Sequence, residues 1–366
     1  MKIIYFQGRL GNQMFQYAFF HYLLQKGEEA VWLDCTAPFI RKKWKIELER
    51  AFEAVAHNSH KLPYWKARPF YLAGDVLKKV FKKNLQTDRE HPAQKAIWWK
   101  GYWQNYHYPE AVKDVLLHDF RFPPVTDNEN KKTLSMIDAT NAVGIHVRRG
   151  DYVKPRVRVA FGDICTAEYY REAVEYVRQQ TDNPAFFIFS DDPQWVKEHL
   201  PIPDAVYVTG NTGLTGFRDL QLMSRCKHQI IANSTFSWWG AWLNQTPGKI
   251  VVAPAKWGHN QFKNFSENLI PPSWHRTGQL HPNISLVVEG ATEQEIFPLL
   301  QQRYDDFELL TNTALPVADK RIKGISQKPA GNHIFKLTKE ELPLFKDSGY
   351  LEKKLLNYFN TWNKQD

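Results

Sequence analysis

Cysteine is scarce in this chain. Three occur in 366 residues, Cys35, Cys165 and Cys226, far apart and with no CxxC pair. An odd, scattered set excludes a disulfide framework and a thiolate zinc site. Long apolar runs are missing too: no stretch approaches the ~20 residues needed to cross a bilayer. The first residues, Met-Lys-Ile-Ile-Tyr-Phe-Gln-Gly, lack the apolar core of a secretion signal, so the expected location is the cytoplasm. Four Asn-x-Ser/Thr sequons, at Asn233, Asn244, Asn264 and Asn283, would carry glycans only in a secreted chain. The usual phosphate-loop signatures are absent as well. The first glycine loop, Gly8-Arg9-Leu10-Gly11, is neither GxGxxG nor a P-loop with its lysine.

What the chain does carry is positive charge and aromatic rings. Lys and Arg outnumber Asp and Glu by 48 to 39, a formal charge of +9. That balance points to an anionic partner: a nucleotide, a nucleic acid or a membrane surface. The 13 Trp, 16 Tyr and 23 Phe belong mostly in cores, with a minority exposed as sugar platforms. The cations are dispersed. One run spans Arg41 to Lys45. Another, Lys78, Lys79, Lys82 and Lys83, lies opposite an apolar stripe of Ala73, Val76, Leu77, Val80 and Phe81. The second run reads as the solvated face of a packed helix, or as a helix resting on anionic lipid headgroups. No nucleic-acid motif accompanies either, which leaves a basic nucleic-acid-binding protein as the minor alternative.

The length allows two domains with separate cores. Lys2 to Phe6 reads as a strand, followed by the glycine loop, an amphipathic helix from about Met14 to Gln25, and a strand over Ala30 to Leu33. Beyond the aromatic stretch Gly101-Tyr102-Trp103-Gln104, a helix is expected from about Pro109 to Leu117. Phe120-Arg121-Phe122-Pro123-Pro124 and the polar residues up to Asn141 read as a linker and a domain boundary. From Val143 the pattern becomes regular. Strands over 143–147, 185–189, 205–208, 229–232 and 249–253 alternate with helices. Thr166 caps one helix, Asp192 caps another, a third covers 217–225, and a fourth carries Trp238, Trp239 and Trp242. Short connections between them predict a parallel, doubly wound sheet.

Three strand ends then meet on one edge. The first reads Ile145-His146-Val147-Arg148-Arg149-Gly150-Asp151. Adjacent arginines in an extended segment point to opposite sides. One can fork onto an anion while the other ties down the loop, with Asp151 as a partner. A plain surface turn with a local Arg–Asp pair is the simpler reading of this stretch alone. The second end, Ser190-Asp191-Asp192, uses Asp192 as a helix cap and leaves Asp191 for a ligand. The third, Asn233-Ser234-Thr235-Phe236-Ser237, sets hydroxyls and amides at a helix N-terminus, which suits phosphate. Together they make a nucleotide diphosphate pocket. Trp238 and Trp239 read as core.

These stretches, with Gly8 to Gln16, Gly101 to Gln104 and Phe189 to Asp192, resemble family 11 glycosyltransferases, the bacterial α-1,2-fucosyltransferases, in the family's order over residues 1–276. The resemblance implies an α/β, GT-B fold: two Rossmann-like domains facing each other across a cleft, 1–139 on the acceptor side and 140–276 binding the donor. Residues 277–366 are then a C-terminal extension without a counterpart. It implies inverting transfer of fucose from GDP-fucose to the 2-hydroxyl of a galactose, with no cofactor or metal. No DxD motif lies among the strand ends, and Arg148 can supply the charge a metal would. By position it assigns Arg148, Asp151 and His146 to catalysis. Arg149 would support the loop or the donor, and Asp191, Ser234, Thr235 and Ser237 would bind the donor, Asp191 on the nucleoside, with Asn12 and Gln13 across the cleft. Asp151 and Asp163 are the candidate bases. The expected acceptor is a galactose-terminated bacterial surface glycan, lipid-linked, which would bring the protein to the inner face of the membrane. An inverting transferase for another sugar nucleotide is the nearer alternative, because the motifs read diphosphate more securely than fucose. In the extension, a strand over 286–289, a helix over 292–303 and a last helix with Leu351, Leu355, Phe359 and Trp362 on one face are expected. Capping the domains, docking on a membrane and oligomerisation are the roles open to it.

Overall fold

The structure, a computed structural model, describes residues 1–34, 47–57, 60–62, 85–87, 97–259, 265–278, 282–315, 319 and 321–362. Both basic runs, Cys35 and Asn264 lie outside the described residues. Three parallel β-sheets organise the described chain.

The first sheet takes β1 (Lys2–Phe6), β2 (Ala30–Asp34), β3 (Lys61–Leu62), β4 (Leu85–Thr87) and β5 (Trp98–Lys100), in the order β3-β2-β1-β5-β4. Helix Leu10–Gln25 makes the crossover from β1 to β2, whose register pairs Lys2 with Ala30 and Phe6 with Asp34. An amphipathic helix was expected here, yet 11 of its 16 residues are buried. The reason is tertiary. One face covers its own sheet, and the other packs on helix Thr235–Leu243 of the next unit. Phe15 sits 4.5 Å from Trp238 and 5.0 Å from Trp239, ring centre to ring centre. One apolar core therefore runs through both units. Truncating either tryptophan would cost roughly 3–5 kcal/mol.

The 120–141 segment, expected as linker, contains helix Asn128–Asp138, whose N-cap Asp127 accepts from the Asn130 amide. Only Ile137 among its apolar residues is fully buried, too thin a stripe to announce a helix.

The second sheet takes β6 (Asn141–Val147), β7 (Pro184–Ser190), β8 (Val206–Val208), β9 (His228–Ile230), β10 (Val251–Pro254) and β11 (His275–Thr277). Its order is β11-β10-β9-β6-β7-β8. The local signals act as expected. Thr166 caps helix Ala167–Gln180 by accepting from Tyr169 N, and Tyr170, Ala173, Val174 and Val177 are its buried stripe. Asp192 caps helix Pro193–His199. Trp238 and Trp239 are fully buried.

The extension is a third parallel unit. Strands β12 (Ile284–Val288), β13 (Phe307–Thr311), β14 (Ile322–Gly324) and β15 (His333–Lys336) form it in the order β14-β13-β12-β15. A capping box of Thr292 and Glu295 starts helix Glu293–Leu300. Leu351, Leu355 and Phe359 of helix Tyr350–Trp362 close a separate apolar core. The first two sheets facing each other make a GT-B arrangement with this unit appended. No helix among the described residues is long and apolar enough to cross a membrane.

Candidate active site

In a doubly wound sheet the ligand crevice opens beyond the carboxyl ends of the strands, where the strand order reverses. In the second sheet the chain starts at β6, steps out to β7 and β8, then returns to β9 on the other side. The reversal therefore lies between β6 and β9. In the first sheet it lies between β1 and β5. Residues at and beyond the ends of these four strands line one cleft of about 690 Å³. Gly8, Asn12, Tyr102 and Gln104 come from the first unit, and His146, Arg148, Ser234 and Thr235 from the second.

Arg148 stands at the centre. One guanidinium nitrogen is 2.7 Å from Asp191 Oδ2, and another donates to Asp151 Oδ1 at 2.5 Å. Burial alone would lower its pKa, but Asp191 and Asp151 outweigh that and hold it above its ordinary value. It is a permanent cation, clamped in one orientation and lining the cleft. Asp151 lines the cleft beside it. Tyr152 hydrogen-bonds to the Asn233 carbonyl at 2.9 Å, tying this loop to the one after β9.

His146 is buried, and its pKa is pushed down to about 3 by burial first and by Arg148 second. It is a neutral imidazole, and its Nδ1 is a buried polar atom without a partner among the described residues. His146 is one of the residues lining the cleft.

The third strand end leads into helix Thr235–Leu243. Ser234 is its N-cap residue and uses no side-chain cap, and both Ser234 and Thr235 line the cleft. The start of this helix and Arg148 line the same cleft, and a helix N-terminus favours an anion. Thr235 Oγ1 donates to Asn12 Oδ1 at 3.1 Å, and Gln104 donates to the same oxygen at 2.7 Å. Asn12 thus bridges the two units at the cleft floor. Close approach is required there. A Cβ on Gly11 would lie 2.6 Å from the Thr235 carbonyl carbon, and Trp239 Nε1 donates to the Gly11 carbonyl at 3.0 Å.

Four expectations are corrected, and the choice left open for Arg149 falls to the loop. Arg149 turns away: its Nε meets Asp192 at 3.1 Å, and its guanidinium stacks 4.2 Å over Trp195. It braces the loop, as alternation along an extended chain requires. Asp191 is at the cleft wall, but its oxygens take Arg148 and the amides of Arg149 and Gly150, so it positions the clamp. A Cβ on Gly150 would strike it at 2.4 Å. Ser237 is buried within its helix and donates to the Ala232 and Ser234 carbonyls. Gln13 is buried too. It donates to the Gly8 carbonyl and accepts from the amides of Glu47 and Leu48, fixing the glycine turn from behind. Asp163 faces away from the cleft, held by Arg158 and His333. The Asn233 sequon is an internal strut: its amide donates to the Phe161 and Trp257 carbonyls.

Sequence reasoning missed Asp219. It sits on helix Phe217–Arg225 and lines the far end of the cleft, beside the loop Thr209–Gly213. Burial raises its pKa to about 7, against the opposing hydrogen bond from Asn211 at 2.8 Å. Two glycines with left-handed backbone, Gly210 and Gly213, shape that loop. They were the one local signal, and nothing local links them to Asp219.

Two facing switch points, one carrying both a guanidinium clamp and a helix N-terminus, define a GT-B transferase cleft. The chain belongs to glycosyl transferase family 11, whose model matches residues 1–277. It is 32% identical over 295 residues to an Escherichia coli alpha-1,2-colitosyltransferase, covering 74% of this chain and 96% of that protein. It is 29% identical over 290 residues to the E. coli O-antigen biosynthesis glycosyltransferase WbnK, covering 70% and 95%. With the mouse galactoside 2-alpha-L-fucosyltransferase Sec1 it shares 26% over 256 residues, covering 66% and 64%. Among solved structures, NodZ alpha-1,6-fucosyltransferase soaked with GDP-fucose aligns at 14% identity with a TM-score of 0.39, over 65% of this chain and 91% of that one. The third unit starts after the family match ends.

Proposed function

We propose that this glycosyltransferase moves L-fucose from GDP-β-L-fucose to the 2-hydroxyl of a terminal galactose, with inversion, in the building of a bacterial surface glycan. The clamp at Arg148 carries the reading. The galactose oxygen attacks C1 of the donor as the bond from C1 to phosphate oxygen breaks. The electron pair leaves with the diphosphate, and its growing charge falls between Arg148 and the amides of Ser234 to Phe236. Of the two expected bases, Asp151 lines the cleft and Asp163 does not. Asp151 is therefore where the acceptor proton goes. Asp219 replaces Asp191 as the nucleoside contact. A carboxylate there matches the adjacent N–H donors of guanine, which uracil and cytosine do not present together. Departure of GDP without a divalent cation is part of the reading, and undiminished turnover in EDTA is its check.

A second reading has the same chemistry with colitose, which lacks the 3-hydroxyl of fucose. The E. coli relative named for colitosyl transfer favours it. A panel of sugar nucleotides against lactose, read by product mass, separates the two by one oxygen. If the protein consumes neither GDP-sugar when a β-galactoside is supplied, the proposal fails.

A further inference from the structure

The third unit lies outside the family match, yet it grips a wall of the cleft. Helix Pro155–Phe161 begins three residues after Tyr152. Its Val157 and Phe161 line the cleft. Its Val159 belongs to the third unit's apolar core, with Ile284, Leu355 and Phe359. One short helix thus has a side in each.

Polar contacts fix the orientation of that helix. Arg158 forks onto Asp163 at 2.8 and 3.0 Å and stacks 4.7 Å over the Phe359 ring. His333, on β15, reaches Asp163 Oδ2 at 3.1 Å, and Asn332 donates to the Asp163 carbonyl at 3.0 Å. Asp163 itself has a left-handed backbone, φ 56°, a conformation that persists only where surroundings impose it. The helix end is linked to the donor side in turn. The Phe161 carbonyl accepts from Asn233 at 2.9 Å, immediately before the Ser234 cap. A continuous line of contacts therefore runs from β15 through Asp163 and Phe161 to the helix N-terminus at the cleft.

We infer that residues 284–362 are a positioning module for the donor site, acting through the Arg158–Asp163–His333 cluster to hold Val157, Phe161 and Asn233 in place. Arg158, Asp163 and His333 are positioning residues, since none of them lines the cleft. The inference rests on the donor assignment above.

The test uses the full chain with His333→Ala, the near-isosteric Asp163→Asn and the conservative His333→Gln. Steady-state kinetics with GDP-fucose and lactose, GDP titration and thermal unfolding are run on each. His333→Ala and Asp163→Asn are expected to raise the donor KM and the GDP Kd about five- to tenfold, with kcat within twofold. His333→Gln, which keeps a donor to Asp163, is expected to restore both. A lowered unfolding temperature with unchanged KM and Kd would overturn the inference and leave the module a merely structural appendage. Should His333→Ala not fold, Asp163→Asn carries the same comparison. A wild type that consumes no GDP-sugar refutes the proposed function, whereas an active wild type with indifferent variants refutes only this inference.

Discussion

Replacing Arg148 with Ala is the sharpest perturbation available. The guanidinium lies between Asp191 at 2.7 Å and Asp151, its side chain 28% exposed, at the wall where the diphosphate would leave. A charge-assisted hydrogen bond contributes roughly 1.5–3 kcal/mol. Two of them to the departing phosphate give roughly 3–6 kcal/mol, or about 10²- to 10⁴-fold in rate. Only the charge that develops as the bond breaks acts on kcat. The loss is therefore expected mainly in kcat, with a donor KM about tenfold higher. The deletion also leaves two carboxylates facing the phosphates, which pushes the loss toward the upper end. Some loss of stability is expected, because these ion pairs are only partly exposed and exceed the roughly 0–1 kcal/mol of fully exposed ones, but Asp191 keeps the amides of Arg149 and Gly150. Arg148→Lys keeps the charge but cannot fork between the carboxylates, so it should fall between wild type and Ala. The assay is GDP release with and without lactose, beside thermal unfolding. An Arg148→Ala variant that folds and keeps kcat within fivefold would falsify the clamp.

Three further outcomes follow from the same geometry. Gly11→Ala would set a methyl 2.6 Å from the Thr235 carbonyl carbon and 2.7 Å from the Phe236 amide. The two helices must part, at roughly 1–3 kcal/mol, and the cleft floor opens; an unchanged unfolding temperature would contradict the close approach. Ser237→Ala should lose about 1 kcal/mol of stability and leave the donor KM within about twofold, since that hydroxyl serves its own helix; a tenfold rise in KM would return Ser237 to the ligand. Asp219 has a folded-state pKa of about 7, above that of an exposed carboxyl. Folding therefore favours its protonated form, and its contribution to stability is full below about pH 4, declines between about 4 and 7, and is level above. Asp219→Asn should remove that slope in denaturant titrations at pH 5 and pH 7.5. The donor KM, which needs the carboxylate for guanine, should fall as pH rises toward 7 in wild type and stay flat in the variant.

The alternation of strand and helix after Val143, the caps at Thr166 and Asp192, and the polar strand ends were all legible in the chain, because each depends on neighbours a few residues away. So was the conjunction of Arg148 with the 234–235 turn, since the topology of a doubly wound sheet forces those strand ends onto one edge. Local pattern turned Arg148 and Arg149 opposite ways without saying which takes the cleft, and it could not separate Ser237 from Thr235. Each pair shares a motif and differs only in the direction it faces. The buried faces of helix Leu10–Gln25 were hidden for a related reason: its second partner, the Trp238–Trp239 helix, lies over 200 positions along the chain.

The order of residues alone placed a cation and a row of amides at the strand ends, because those groups come from contiguous motifs. Three-dimensional packing alone decided who serves the cleft and who supports it. Asp191 and Gln13 became braces, Asp219 entered from an unmarked helix, and the last unit took hold of the 155–161 wall. The physical reason is that a side chain's task depends on what its polar atoms meet, and here the partners of Asp191, Gln13, Asp219 and Asp163 lie 5 to 170 residues away.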